Sequence, residues 1–201
     1  MSRHIDVEQG TDEWLTARLG VPTASNFAKF LSPTGKPSTQ ADSYVNQLVA
    51  EKLTGERTAI FKSDDMQRGN DLEPQAKAMY EFIREVEVKE MGLMLHDDFD
   101  AGCSPDGLVG CDGGIEIKCP KAENHIANLR RGTVDMKYYP QIQGCLWITE
   151  RQWWDFVSFH PELEILIVRV ERDEEYINKL AGIVEAACKT ITLEADKWRK
   201  I

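Results

Sequence analysis

The chain has no C-x-x-C pair, and its four histidines, His4, His96, His125 and His160, include no H-x-x-x-H spacing. Zinc ribbons and zinc hydrolases are thereby disfavoured. The five cysteines, Cys103, Cys111, Cys119, Cys145 and Cys188, are odd in number and match no cluster spacing. That argues against a disulfide framework or an iron–sulfur centre and leaves them as small apolar residues. No apolar run approaches the ~20 residues that span a bilayer. The opening MSRHIDVEQG does not have the form of a signal peptide, so a soluble, cytoplasmic chain with no membrane partner is expected. Positive charge is scarce as well: 24 Lys and Arg stand against 34 Asp and Glu, a formal net charge of −10. Composition alone therefore speaks against a general nucleic-acid coat protein. It leaves room for an enzyme whose acids gather around bound cations.

What is present is an ordinary globular balance, 42% apolar and 29% charged over 201 residues, enough for one domain with a sizeable core. Helical patterns cover residues 12–20, 23–31 with Thr23 as N-cap, 40–55 ending at Gly55, and 65–84 with Ala76, Met79, Tyr80 and Ile83 on one stripe. Strand patterns follow at 86–95, at 100–110 with a turn, and in GIEIKC at 114–119. Two further helices (122–132 and 139–149), two strands (153–160 and 163–171) and an amphipathic helix over 173–199 complete the order. No linker or repeat interrupts it. This order predicts a single α/β domain over residues 1–201, built on a central mixed β-sheet flanked by helices.

One stretch, SPDGLVGCDGGIEIKCP at 104–120, stands out. Pro105-Asp106-Gly107 and Asp112-Gly113-Gly114 are strong turn signals, so a plain hairpin accounts for part of it. On the second strand, alternation puts Ile115, Ile117 and Cys119 on one face and Glu116 and Lys118 on the other, the two charges roughly 6–7 Å apart. A salt-bridged solvent face would give the same pattern. So would a metal-dependent phosphodiesterase, in which Asp106 and Glu116 hold a hard divalent cation and Lys118 orients or deprotonates water.

The spacing PD-x9-E-x-K resembles the PD-(D/E)xK nuclease motif. CSPDGL followed by EIKCP is similar to the bacteriophage lambda exonuclease family of YqaJ-type viral recombinases. So are VEQGTDEWLTARLGVPTAS, RGNDLEPQAKAMYEF, YPQIQGCLWIT and ERDEEYI, in family order over almost the full chain. The resemblance implies a restriction-endonuclease-like core. It implies metal binding by Asp106, Glu116, the Ile117 carbonyl and Glu73, with Mg²⁺, or alternatively Mn²⁺, in a pair of sites. Lys118 would assist the attacking water, with Gln141 and Tyr138 beside the centre. Arg18, Ser25 and Ser104 would receive a terminal 5′-phosphate. The family arginine that reaches toward DNA has no match in SPTGKPS at 32–38, where Lys36 offers only a point charge.

The expected activity is a Mg²⁺-dependent 5′→3′ exonuclease that digests one strand of double-stranded DNA from its ends to mononucleotides. The resemblance further implies a ring-shaped homotrimer around DNA and a single-strand annealing protein as recombination partner, in a bacterial host cell. Two alternatives stay open: a structure- or site-specific endonuclease of the same fold, and a nuclease-like module that only binds partners.

Overall fold

The computed structural model describes residues 2–58 and 64–199, and every candidate site residue lies among them. A short strand, β1 (Arg3–Ile5), opens the chain. Thr11 then caps α1 (Asp12–Ala17), its hydroxyl accepting from the Trp14 amide at 3.3 Å. The next turn, Ala24–Lys29, is a 3-10 helix rather than the α-helix its spacing predicts. Thr23 makes no cap bond there because its hydroxyl is engaged elsewhere, as described below. α2 (Ala41–Thr54) stops at a left-handed Gly55, as the sequence indicates.

In α3 (Asp64–Arg84), Ala76 and Tyr80 are buried while Met79 and Ile83 are exposed. The helix therefore rests on a narrower stripe than the one read from its sequence. The predicted strand at 86–95 is two strands in two different sheets, β2 (Val88–Lys89) and β3 (Leu93–Leu95). The chain crosses between them at Gly92, where a Cβ would meet the Val7 carbonyl at 2.1 Å. β4 (Gly102–Cys103), β5 (Gly107–Val109), β6 (Gly113–Lys118), α4 (Ala122–Arg131), α5 (Tyr139–Thr149), β7 (Trp153–Ser158), β8 (Leu166–Glu171) and α6 (Glu174–Trp198) follow.

The main sheet runs β2-β5-β6-β7-β8. β6 and β7 are parallel, which requires the long crossover through α4 and α5, and the other pairs are antiparallel. This is the expected mixed sheet flanked by helices. A second sheet, β1-β3-β4, was not legible in the sequence. Strand alternation divides the core between the faces of the main sheet. Trp154 and Phe156 join α5, α6 and the 3-10 turn on one side; Ile115, Ile117, Cys119 and Val157 meet Ala76 and Tyr80 of α3 on the other.

Two close approaches fix the region around the motif. Gly144 of α5 lies under Phe27, whose ring a Cβ would meet at 2.4 Å, so the 3-10 turn presses against α5. The segment before that turn is bonded to β4, with the Gly102 amide donating to the Pro22 carbonyl at 3.0 Å. Residues 22–25, the start of the 104–120 motif and the helix bearing Gln141 are thereby held together. Among the described residues, no helix is long and apolar enough to cross a membrane.

Candidate active site

The faces of β6 are those the alternation predicts, but the charged face is not a solvent face. Glu116 is 0% exposed. Its Oε1 receives the Gln141 side-chain amide at 2.6 Å and an ion pair from Lys118. Its Oε2 is buried with no hydrogen-bond partner. Asp106 is stitched to the same strand, since its Oδ2 accepts from the Ile117 amide at 2.6 Å. The turn before it is held from outside the motif: the Gln9 side-chain amide donates to the carbonyls of Pro105 at 2.7 Å and Met91 at 2.8 Å. Sequence reading did not single out Gln9, and only its place within VEQG signalled it.

Tyr138 ends the short 3-10 segment Met136–Tyr138 and flanks α5 as its N-cap with helical dihedrals, three residues before Gln141. Its ring stacks on Phe156 at 5.3 Å and lies 5.6 Å from the Lys118 ammonium. Gln143 turns away, as its spacing predicts, donating to the Glu171 carbonyl at 2.9 Å and accepting from the Asp173 amide at 2.9 Å.

Burial and then the Glu116 charge push the Asp106 carboxyl well above the usual carboxylate range, against Lys118 and the Ile117 amide. Glu73 on α3 is raised by burial first, with Lys118 opposing and Glu116 adding. For Lys118, burial alone would lower the ammonium, but Glu116 and Asp106 outweigh it and the net shift is upward. Three acids therefore share one poorly solvated neighbourhood, with Lys118 acting on Asp106, Glu116 and Glu73 alike. Among the described residues, no group of three or more His, Cys, Asp or Glu is arranged to hold a metal by itself. The orphaned Glu116 Oε2 nevertheless fits a cation, and so does the all-oxygen donor set. Mg²⁺ is commonly held by one or two carboxylates, with water and substrate phosphate completing its shell.

A second cluster adjoins the first through Ser104 and Pro105. The Arg18 guanidinium lies over the Trp14 ring at 4.0 Å and donates to the Thr23 hydroxyl at 3.1 Å. The Thr23 and Ser25 hydroxyls are 3.4 Å apart, and Trp14 Nε1 donates to Ser104 Oγ at 2.9 Å. Arg18, Ser25 and Ser104, distant in sequence, are thus linked by two residues the sequence reading missed. Trp14 could have been found from its i,i+4 spacing to Arg18. Burial, then the charge of Arg57, lowers Arg18 to about 10, which leaves it cationic at neutral pH. Lys36 is exposed on the turn that Ser32 and Gly35 close, and among the described residues it joins no ion pair.

The chain is similar to proteins of known structure. An alkaline exonuclease (LHK-Exo) from Laribacter hongkongensis is 36% identical, with 93% of this chain and 95% of that chain covered and a TM-score of 0.84. The same exonuclease in complex with dAMP matches at 36% identity and a TM-score of 0.83. A phage-related exonuclease from Haemophilus somnus 129PT, 21% identical over 88% of this chain and 96% of that one, shares the fold at a TM-score of 0.64. No curated protein matches the chain. The YqaJ-like viral recombinase domain is matched over residues 13–152, from α1, which Arg18 follows, through both acids and the lysine, to the end of α5; this chain belongs to that family.

Proposed function

We propose that the protein is a metal-dependent DNA exonuclease that digests one strand of a duplex from its 5′ end and releases mononucleotides. The observation that carries this reading is Glu116, fully buried with one oxygen unpaired, next to a guanidinium–hydroxyl pocket joined to it through Ser104 and Pro105. A continuous backbone does not need a separate phosphate pocket beside the acids; a chain end does. The relative's complex with dAMP, a nucleoside monophosphate of the kind stepwise digestion releases, adds support.

In this reading Arg18 receives the 5′-phosphate through charge-assisted hydrogen bonds, with Ser25 and Ser104 donating to its remaining oxygens. Trp14 orients both Arg18 and Ser104. Asp106, Glu116 and the Ile117 carbonyl would hold Mg²⁺ or Mn²⁺, and Glu73 would serve a second ion. Bound there, a divalent cation stabilises charge on the scissile phosphate and makes water a better nucleophile at neutral pH. Lys118 positions the attacking water and Gln141 holds Glu116 in place. Tyr138 sets its ring beside the Lys118 ammonium.

A homotrimeric ring fits the strongly acidic total, because a surrounding channel holds DNA by topology where net charge does not. The 3′ overhang left behind suits a single-strand annealing protein as partner, acting in a bacterial cytoplasm. Lys36 is the nearest equivalent of a DNA-gripping arginine in the 32–38 turn.

The test is digestion of a covalently closed plasmid beside its linearised form, with and without a chelator. Linear DNA should be consumed only in the presence of Mg²⁺ or Mn²⁺, and closed circles should survive. Cleavage of closed circles would favour an endonuclease, and cleavage of neither would leave a binding module. Light scattering should give about three times the 22.8 kDa chain mass.

A further inference from the structure

α3 is laid on β6 through positions spaced by four residues: Leu72, Ala76 and Tyr80 pack toward Ile115, Ile117 and Cys119. One step earlier on that stripe is Arg68, where the helix reaches the end of the strand. Its Nη2 donates to the Cys119 carbonyl at 2.8 Å, one residue beyond Lys118. Its Nε is buried with no acceptor. Neighbouring acids are otherwise engaged: Asp65 pairs with Lys121 at 3.0 Å, and Asp71 receives the Gln67 amide at 2.8 Å. Among the described residues, no carboxylate forms an ion pair with Arg68.

Holding one carbonyl uses a small part of what a guanidinium offers, and an unsatisfied buried donor is costly. A fork with further donors free is suited to a phosphate oxygen, for which arginine is the favoured residue. Its position gives the choice of phosphate. The Arg18 pocket is joined to the acids through Ser104 and Pro105, which precede Asp106 in the chain. Arg68 is joined to them through the Cys119 carbonyl, which follows Lys118 in the chain. A strand with its terminal phosphate at Arg18 and its first internal phosphate at the acids continues toward Arg68.

We infer that Arg68 forms a subsite for the phosphodiester immediately 3′ of the scissile one, holding the strand on the side opposite the end pocket. This rests on the exonuclease reading. It makes Arg68 a substrate-binding residue that acts on the nucleotide retained after cleavage.

The experiment uses three 5′-phosphorylated duplexes in Mg²⁺ and reads single-turnover release of the first nucleotide. One is native. One carries a neutral methylphosphonate at the phosphodiester next after the scissile one, and one carries it at a distant position. Wild type should slow about tenfold to a hundredfold on the adjacent methylphosphonate, the range of one or two charge-assisted hydrogen bonds, and not on the distant one. Arg68→Gln should lose a similar factor on native DNA and almost nothing more on the adjacent methylphosphonate. Arg68→Lys, which keeps the charge without the fork, should fall between. A wild type indifferent to the adjacent methylphosphonate overturns the subsite, even if Arg68→Gln does not fold. So does a folded Arg68→Gln that still loses the full wild-type factor. Failure of wild type to digest the native duplex removes the exonuclease reading and the subsite with it, which tells the two failures apart.

Discussion

Glu116 on β6 and Asp155 on β7 are both 0% exposed, on neighbouring parallel strands. Asp155 is closed: Tyr80 donates to Oδ2 at 2.8 Å, and Arg169 forks onto both oxygens at 2.8 and 3.0 Å. The Arg169 guanidinium is itself stacked 3.5 Å over Trp153. Glu116 has donors on one oxygen only and leaves the other bare. A buried acid whose lone pairs are all taken by fixed donors is part of the scaffold, and its worth lies in holding α3 and β8 to the sheet. A buried acid left open needs a further positive partner, and that need is what marks a site. Burial alone does not separate the two, but the account of lone pairs does.

The largest expected effects test this contrast in opposite directions. Glu116→Gln should reduce single-turnover digestion roughly a thousandfold or more, since stabilisation of the scissile phosphate goes with it. Its thermal midpoint should stay close to wild type, because losing the Lys118 ion pair is offset by relief of the charge that Glu116 places on Asp106 and Glu73. Asp155→Asn should do the reverse. Weakening three hydrogen bonds to a buried charge, from Tyr80 and from the partly exposed Arg169 fork, costs about 3 kcal/mol, or roughly 6–12 °C in a domain of this size. Digestion well below that midpoint should remain within a few-fold of wild type. A Glu116→Gln protein that digests DNA normally, or an Asp155→Asn protein that melts normally, would break the comparison.

A smaller effect sharpens it. Arg18→Ala should slow digestion of 5′-phosphorylated duplex about tenfold to a hundredfold, as expected for lost charge-assisted bonds, and 5′-hydroxyl duplex far less. Equal losses on the two substrates would return Arg18 to the structural group with Asp155. Its stability cost should be small. Burial and the Arg57 charge already work against the guanidinium in the folded protein, so removing that charge takes away an unfavourable contribution.

The sequence disclosed these regions unequally. In GIEIKC the period of two was enough to put Glu116 and Lys118 on one face, because β6 is six residues long. It did not disclose that α5 covers that face, since Gln141 and Tyr138 reach it only through the crossover. WWDFVSFH has the same kind of alternation with an acid in it, and nothing local distinguishes Asp155 from a site residue. Only the distant Tyr80 and Arg169 settle its role. β2 and β4 are two residues each, too short for any period to show, so the second sheet was invisible. Arg18, Ser25 and Ser104 were proposed from family resemblance; Trp14 and Thr23, which link them, are a matter of tertiary contact.

The smallest expected effect lies at the junction of α5 and α6, where Asp173 is a third acid with its partners in place. It caps α6 by accepting from the Tyr176 amide at 3.0 Å, and it accepts from the Tyr139 hydroxyl at 2.8 Å. The Tyr176 amide first, then the Tyr139 hydroxyl, hold its carboxyl below the ordinary value. An acid with a lowered folded pKa adds stability that is present above its unfolded value of ~3.9 and lost as pH falls through the folded one. Tyr139 moves the other way, raised by burial and then by its bond to Asp173. Its contribution is present below the unfolded tyrosine value of ~10 and lost as pH rises through the folded one. The junction should therefore be worth most across the neutral plateau. Asp173→Ala should cost about 1 kcal/mol there, as for other lost caps. The cost should shrink below pH ~4 and again above pH ~10. Thermal melts of wild type and variant across pH, without DNA or metal, measure it. A gap between them that stays constant from acid to alkaline pH would mean that Asp173 acts through packing, and that its two hydrogen bonds contribute nothing as a charged cap.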